Sequence, residues 1–396
     1  MLRPWANMED VSVEPISERA RRWAATMSGY EGATDDVTVA HRDSTATIAP
    51  LGTRVPSFAG TLAAREELLD ALLAPGATRS MGGGDRDREE EPDEFRTCFE
   101  RDRDRILHSS AFRRLAGKTQ VFIFPDDHMR TRLTHALEVA QVATGIARPL
   151  GLNVALAEAI ALGHDCGHGP GGHASEEALD PFLENGFDHA TWGADVSLAP
   201  LNLCRETLDG VRNHSWSRPA PGTPEGEVVS WADRIAYVCH DFEDAVSAGI
   251  VTSDELPGIV RERCGLVRRE QLGAFINGMI HTVHETGVVG MDARHAEALA
   301  AFRAFNYETI YLRDASQHQG SAVVSMLRAL VEFYCAHPMM IPDVAKRGGE
   351  DEDEGSTTAL RDAVAYVAGM TDRFACRSAV TLLEWPEDLL PSGLDR

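Results

Sequence analysis

Four side chains in this sequence, His135, His164, Asp165 and Asp233, could together hold one divalent cation. Imidazole and carboxylate suit ions in the manganese, magnesium, iron or zinc range. His164 and Asp165 are adjacent, and neighbours on a helix point about 100° apart. Such a pair can grip one ion only where a helix is ending, and Gly167 supplies that ending. His135 falls near the start of the preceding amphipathic segment, and Asp233 shares the apolar side of a helix with Val229, Ile235 and Val238. A buried carboxylate without a partner is costly, and a metal would satisfy it. Taken singly, each residue is more often hydrogen-bonded structure. The order His, His-Asp, Asp, each on its own helix, is what points to a metal.

Further polar groups crowd the same segments. The stretch GHDCGHGPGGH, 163–173, has five glycines in its first ten residues and adds His168 and His173. His173 and Glu176 are spaced i, i+3 at a helix start, so they can meet on one face, with Glu176 orienting the imidazole. Arg132 lies one helical turn before His135 and can reach phosphates beside a metal. Asp233, Tyr237 and Asp241 recur at i, i+4 and i+8 and form one stripe. A core face would carry apolar residues there, so two acids and a tyrosine suggest the wall of a site. Arg234 either contacts phosphate or is an ordinary exposed helix arginine.

Charge is unevenly spread. The net charge is -24, which disfavours nonspecific binding to nucleic acid. Residues 101–132 nevertheless hold eight basic groups against four acids. That segment is either a solvated face with internal ion pairs or a pocket for a polyanion. Seven widely spaced cysteines, without a CxxC pair, read as reduced thiols. Cys166 lies inside the candidate site, but its neighbours already account for the chemistry.

The elements that must position these groups are helical. With 43% hydrophobic and 25% charged residues, the chain has the composition of a soluble globular protein. Its apolar runs are too short to span a bilayer. The N-terminus lacks a signal-type apolar core, so a cytoplasmic location and no membrane association are expected. Residues 1–95 read as a loosely organised extension, partly disordered or regulatory, with short helical patterns at Ile16 to Met27 and Leu62 to Leu73. The glycine-rich and acidic stretch 81–94 reads as a flexible linker. From 96 to 396 the pattern predicts an all-α catalytic domain. Helices are expected over Thr134 to Leu150, from an Asn153 cap through Asp165, over Glu176 to Glu184, Asn202 to Asn213 and Val228 to Val246. Others follow over 268–284, 293–315 and 319–336. An acidic linker at 346–357 precedes a last helix around Leu360 to Tyr366.

The His135, His164-Asp165 and Asp233 series resembles the H…HD…D signature of HD-domain proteins. More narrowly, the chain resembles the bacterial deoxynucleoside triphosphate triphosphohydrolases (deoxyguanosine triphosphatase-like). The matching stretches include FERDRDRILHSSAFRRLAGKTQVF at 99–122, RTRLTHALEVAQVATGIARPLGL at 130–152 and EAIALGHDCGHGPGGHASEEAL at 158–179. They continue with GFDHA at 186–190, LNLCRETLDGVRNH at 201–214, EGEVVSWADRIAYVCHDFEDAVSAG at 225–249 and AYVAGMTDRFA at 365–375. The HD pair alone is weak; combined with HSSAFRRLAGKTQVF and AGMTDR it is highly specific.

The resemblance implies a multi-helix HD fold with a helical C-terminal elaboration. It implies metal-dependent hydrolysis of a dGTP-like deoxynucleoside triphosphate at the α-phosphorus, to deoxynucleoside and intact triphosphate. It further implies that His173 protonates the leaving 5′ oxygen or assists the water, and that His168 and His189 line the phosphate site. Arg132 matches a phosphate-contacting arginine, Tyr237 lies near the phosphates or sugar, Asp241 near the sugar, and Gln120 reads the sugar 3′-hydroxyl. Homo-oligomers are common in such proteins, and some respond to bound nucleotide or single-stranded DNA effectors. Two segments depart from the pattern. GHGPGGH replaces a proline- and phenylalanine-containing turn, so Gly171 is expected to add room or flexibility. HATWGADVSL, 189–198, replaces the more usual HNAQ-type sequence and leaves Asp195 without a role. Two alternatives remain at this stage: an HD phosphohydrolase acting on another nucleotide, and a nucleotide-sensing protein with weak catalysis.

Overall fold

The computed structural model describes residues 17–32, 37–49, 62–82, 84–123, 129–347 and 355–391. The chain divides into two compact units, Met1–Ala59 and Gly60–Arg396. In the first, helix α1 (Glu18–Ala24) is capped by Ser17, whose side chain accepts from the Ala20 amide at 3.2 Å. A two-residue antiparallel ladder pairs Tyr30 with Val39 and Glu31 with Thr38. No described residue of this unit is buried.

The regular elements of the second unit are helices, with two isolated β-bridges, Arg86 to Cys204 and Thr119 to Thr131, among its described residues. It begins with α2 (Leu62–Asp70), α3 (Cys98–His108) and α4 (Ser110–Arg114). A capping box of Thr97 and Glu100 starts α3, and Arg65 of α2 bonds the same Glu100 at 2.7 Å. Residues 84–94, expected to be a free linker, are instead packed. Arg86 forms a buried ion pair with Asp102 at 2.7 Å. Arg88 exchanges hydrogen bonds with the Asn202 side chain, and the Gly84 amide donates to Glu206 at 3.0 Å. The composition looks like a linker because two of these partners, Asn202 and Glu206, lie over a hundred residues away in sequence.

The main core is built on α5 (Arg132–Ala147), α6 (Val154–Gly163) and, further along, α10 (Pro224–Ser247). On α5 the buried residues Val139, Ala140, Val142, Ala143, Ile146 and Ala147 follow the expected stripe. Leu137 does not and is 48% exposed. Asn153 caps α6, accepting from the Leu156 amide at 3.2 Å. Between α6 and α10 come α7 (His173–Leu179), α8 (His189–Trp192) and α9 (Arg205–Asn213). The expected helix at 176–184 therefore starts earlier and ends at Leu179. After α10 come α11 (Gly258–Cys264), α12 (Arg268–Thr286) and α13 (Ala293–Asn306). The expected helix 293–315 breaks at a π turn, Tyr307–Tyr311.

A second core joins α7 to α14 (Asp314–Ala336), α16 (Thr357–Ala368) and α17 (Asp372–Leu383), with α15 (Pro342–Arg347) between α14 and α16. The sequence pattern did not anticipate α17. Its buried positions are Asp372, Ala375, Cys376, Ser378 and Ala379, small or polar residues that give little apolar signal. Most of the expected acidic linker, 348–354, lies outside the described residues. Among the described residues no helix is long and apolar enough to cross a membrane.

Candidate metal centre

Two helix ends and one helix middle converge on a point. α6 stops at Gly163, and His164 is its C-cap, so His164 and Asp165 leave the helix on a turn. Gly167 permits that turn for a reason beyond flexibility. A Cβ there would lie 1.9 Å from the His189 carbonyl oxygen and 2.4 Å from the Gly193 nitrogen. His135 comes from the first turn of α5, and Asp233 from the middle of α10.

The four candidate ligands are brought together. His135 Nε2 is 3.0 Å from Asp233 Oδ1. His164 Nε2 is 3.7 Å from the same oxygen and 3.5 Å from Asp165 Oδ1. His164 Nδ1 donates to the Ala161 carbonyl at 2.6 Å, so in the neutral ring Nε2 carries the lone pair. That Nε2 is buried and has no hydrogen-bond partner. A buried acceptor aimed at two carboxylates is a poor protein interior and a good ligand position. Two imidazoles and two carboxylates fit a divalent cation in donor type and charge.

Electrostatics agree with that geometry. Burial opposes ionisation of Asp165, but Arg132 and the nearby histidines hold its carboxyl well below the usual range. Burial also works against Asp233, and the His135 hydrogen bond with the charges of His164 and His135 outweighs it. Burial disfavours charge on His135, yet Asp233 and Asp165 raise its pKa.

A fifth donor, His214, did not emerge from the sequence pattern. It caps α9 and donates from Nδ1 to the Val211 carbonyl at 2.7 Å. Burial and the neighbouring His164 and His189 push its pKa down to about 4. The bare Nε2 that results lies 3.2 Å from His189 Nε2 and in donor range of His164 and Asp165. The NH that ends LDGVRNH was the only sequence signal for it.

Glu176 is shared by two histidines. Its Oε1 bonds His189 Nδ1 at 2.7 Å, and its Oε2 lies 3.3 Å from His173 Nδ1. Glu176 faces His189 Nδ1 and the bare His214 nitrogen faces His189 Nε2, so both neighbours favour the protonated ring. Its pKa is raised accordingly: burial opposes the charge, but Glu176 prevails. Glu176 is held far below the carboxylate range, its two histidine bonds outweighing its burial. His173 is different in kind, with 78% of its side chain exposed at the mouth of the site. His168 stacks on His189 with 3.7 Å between ring centroids. Burial and the charge of Arg132 keep His168 neutral.

The remaining expected contacts are placed as follows. Arg132 bonds Asp165 Oδ2 at 2.8 Å rather than standing free for phosphate. Gln120 has a buried, unpartnered Oε1. Tyr237 accepts from Arg303 Nε at 2.9 Å. The Arg234 guanidinium carbon lies over the Trp216 ring, 3.5 Å from its centroid. Asp241 departs from the open wall expected of it, since one oxygen pairs with Arg130 at 2.7 Å and the other accepts from the Tyr311 hydroxyl. Asp195 faces outward in an ion pair with Arg212. The Cys166 thiol is pushed up to about 12 by burial, so it is no nucleophile.

The glycine loop after the HD pair is braced from the C-terminal helices. Asp372 of α17 accepts from the Gly171 amide and the Thr119 amide, each at 2.9 Å. Lys118 donates to the carbonyls of His168 and Ala368. Gly171 adds no room: its φ is +73°, and a Cβ would fall 2.6 Å from Val323 Cγ1. Glycine is needed there by conformation and by contact.

Comparison with known proteins fits this arrangement. Residues 132–238 match the HD domain, and residues 289–380 match the phosphohydrolase-associated domain. A deoxyguanosinetriphosphate triphosphohydrolase-like protein of Caldanaerobacter subterraneus subsp. tengcongensis is 40% identical over 334 residues, covering 83% of this chain and 95% of that protein. One of the same description from Clostridium perfringens strain 13 is 41% identical over 305 residues, covering 73% and 87%. Another from Geobacter metallireducens is 36% identical, covering 79% and 95%.

Proposed function

The chain belongs to the deoxyguanosinetriphosphate triphosphohydrolase-like family of HD-domain phosphohydrolases, and on that premise we propose that it hydrolyses deoxynucleoside triphosphates at the α-phosphorus, releasing deoxynucleoside and intact triphosphate. The observation that carries the reading is the buried, unpartnered His164 Nε2 facing Asp165 and Asp233. His135, His164, Asp165 and Asp233 would hold the metal, with His214 in donor range. A divalent cation there supplies Lewis-acid charge to a phosphoryl oxygen.

Phosphoryl transfer needs positioning and charge neutralisation above all, and this chain's own residues offer both. Arg132, which keeps its bond to Asp165, lines the position an α-phosphate takes beside the ligands together with His168 and His189. Arg234 and Tyr237 extend that surface along α10. Gln120, whose buried Oε1 has no partner, would accept a hydrogen bond from the sugar. His173, oriented by Glu176 at the mouth, delivers the proton to the departing 5′ oxygen. Asp241 supports this wall through Arg130 and Tyr311 rather than touching the sugar.

A second assignment of the proton has an observation in its favour. The Glu176 bond to His189 is shorter than that to His173, 2.7 Å against 3.3 Å, and His189 Nε2 is 4.0 Å from Asp165. In that version His189 is the proton donor and His173 a phosphate contact. A panel of the four dNTPs with manganese or magnesium, read for nucleoside and tripolyphosphate, tests the activity. Stepwise release of orthophosphate would remove it. Homo-oligomer formation and response to a nucleotide or single-stranded DNA effector are part of the same proposal, and gel filtration with and without dNTP tests them.

A further inference from the structure

Two thiols meet outside the metal centre, at the starts of two helices. Cys98 is the first residue of α3, and Cys204 is the N-cap of α9. Gly84 marks their meeting point. A Cβ on Gly84 would stand 2.6 Å from the Cys98 sulfur and 3.1 Å from the Cys204 sulfur. The Cys204 thiol is itself hydrogen-bonded to Cys98. Gly84 has a φ of +80°, and the space an ordinary side chain would fill there is taken by the sulfur pair.

The two cysteines are unequal. Cys204 is fully buried, whereas Cys98 is only half-buried. The bond to Cys98, together with burial, pushes the Cys204 thiol up, so Cys204 keeps its proton and turns it to the Cys98 sulfur. Cys98 Sγ in turn donates to the Ser80 carbonyl at 3.7 Å. One ion pair holds both backbones. Asp102 accepts from the Cys204 amide at 2.8 Å, and its partner Arg86 donates to the Cys98 carbonyl at 3.0 Å. A reachable thiol fixed beside a buried one is the arrangement of an attacking and a resolving cysteine. Cys239 and Cys264 also lie near each other, but both are buried, so neither offers an oxidant a point of entry.

We propose that Cys98 and Cys204 are a peroxide-reactive pair that closes a reversible disulfide between α3 and α9. The Cys98 sulfur attacks one oxygen of a peroxide and the O–O bond breaks. Cys98 becomes a sulfenic acid, and the other oxygen leaves as water with the Cys98 thiol proton. The Cys204 sulfur then attacks the Cys98 sulfur. The S–O bond breaks, and the hydroxyl leaves with the Cys204 proton as a second water. Two thiols are oxidised and one peroxide is reduced. The bond would encircle the stretch of chain that carries His135, His164 and Asp165. It would also tie together the two helices that flank α6, whose end bears the His164–Asp165 pair. A cross-link over so long a loop restricts the unfolded chain, so oxidation braces the scaffold of the metal centre without touching a ligand. The proposal is independent of the reaction assigned to that centre.

Peptide mapping of the full-length protein, after treatment with hydrogen peroxide and alkylation of the remaining thiols, tests the pair. A species joining the Cys98 and Cys204 peptides should form, lighter than the two together by two hydrogens. The melting temperature should rise by roughly 5 °C, the order expected of a long covalent loop in a chain of this size. Dithiothreitol should reverse both changes. Cys204→Ser should leave Cys98 as a sulfenic acid that dimedone traps. Cys98→Ser should leave Cys204 unmodified, and peroxide should raise the melting temperature of neither variant. Absence of the Cys98–Cys204 species from the treated wild type overturns the proposal, and that map needs no variant to fold. So does a cross-link of either cysteine chiefly to another thiol, or oxidation of Cys204 in Cys98→Ser. An unchanged or lowered melting temperature in the cross-linked protein overturns the bracing.

Discussion

Arg132 Nη1 lies 2.8 Å from Asp165 Oδ2, and both side chains are almost completely buried. In this structure the arginine on α5 takes the place beside Asp165 that a cation would share. Breaking a buried pair by removing one partner typically costs about 3–5 kcal/mol, because the other charge is left uncompensated. Arg132→Ala should therefore lower the metal-free melting temperature. Manganese should then raise it by more than in the wild type, since the ion becomes Asp165's remaining partner. An equal manganese shift in both proteins would mean that Asp165 is not a ligand.

His173 and His189 share Glu176 but differ in burial, which makes them separable. His173→Ala removes an exposed ring and should leave the melting temperature unchanged. Turnover should fall at least about a hundredfold if His173 is the acid. Normal turnover in that variant, with collapse in His189→Gln, would move the proton to His189. Steady-state kcat for the two variants decides between them.

The His189–Glu176 pair also predicts a pH dependence of stability. The folded-state pKa of His189 is raised, so its stabilisation is complete below its unfolded value, about 6.5, and is lost as pH rises through the folded value. Glu176 is depressed, so its contribution is present above its unfolded value, about 4.3, and is lost only in acid. Metal-free wild type should thus lose more stability than His189→Gln between about pH 6 and pH 8. Parallel urea-unfolding curves for the two proteins across that window would contradict the pairing.

Gly167 should be irreplaceable for steric reasons. Alanine there would drive a Cβ against the backbone of His189 and Gly193, which cannot swing aside as a side chain can. Gly167→Ala should abolish metal binding and cut stability severely. Gly320, inside α14 with nothing within 4 Å of an added Cβ, provides the contrast. Gly320→Ala should be neutral or stabilising by up to about 1 kcal/mol. Thermal unfolding of the two variants side by side measures the difference.

The parts of the site legible in the sequence are those with local grammar. His164 and Asp165 sit at the end of an apolar run, Gly167 follows them, and His173 and Glu176 have helical spacing, so short-range pattern was enough. The supports were not legible, because their partners are remote. Asp372 meets Thr119 across 253 positions, and Arg130 meets Asp241 across 111. The same distance hid the packing of residues 84–94 and the pressure of Val323 on Gly171. α17 escaped notice because its buried face is made of small residues. Asp241 shares the α10 stripe of Asp233, but its engagement by Arg130, just before α5, and by Tyr311, in the turn after α13, comes from remote segments that spacing alone does not bring there.

The most direct test of the proposed reaction is hydrolysis of a dNTP in water enriched in oxygen-18, with manganese present and products resolved by mass spectrometry. Attack at the α-phosphorus predicts unlabelled deoxynucleoside and tripolyphosphate carrying one labelled oxygen, and Asp233→Asn should yield neither. Label in the nucleoside, or release of orthophosphate or pyrophosphate in place of tripolyphosphate, would contradict the account.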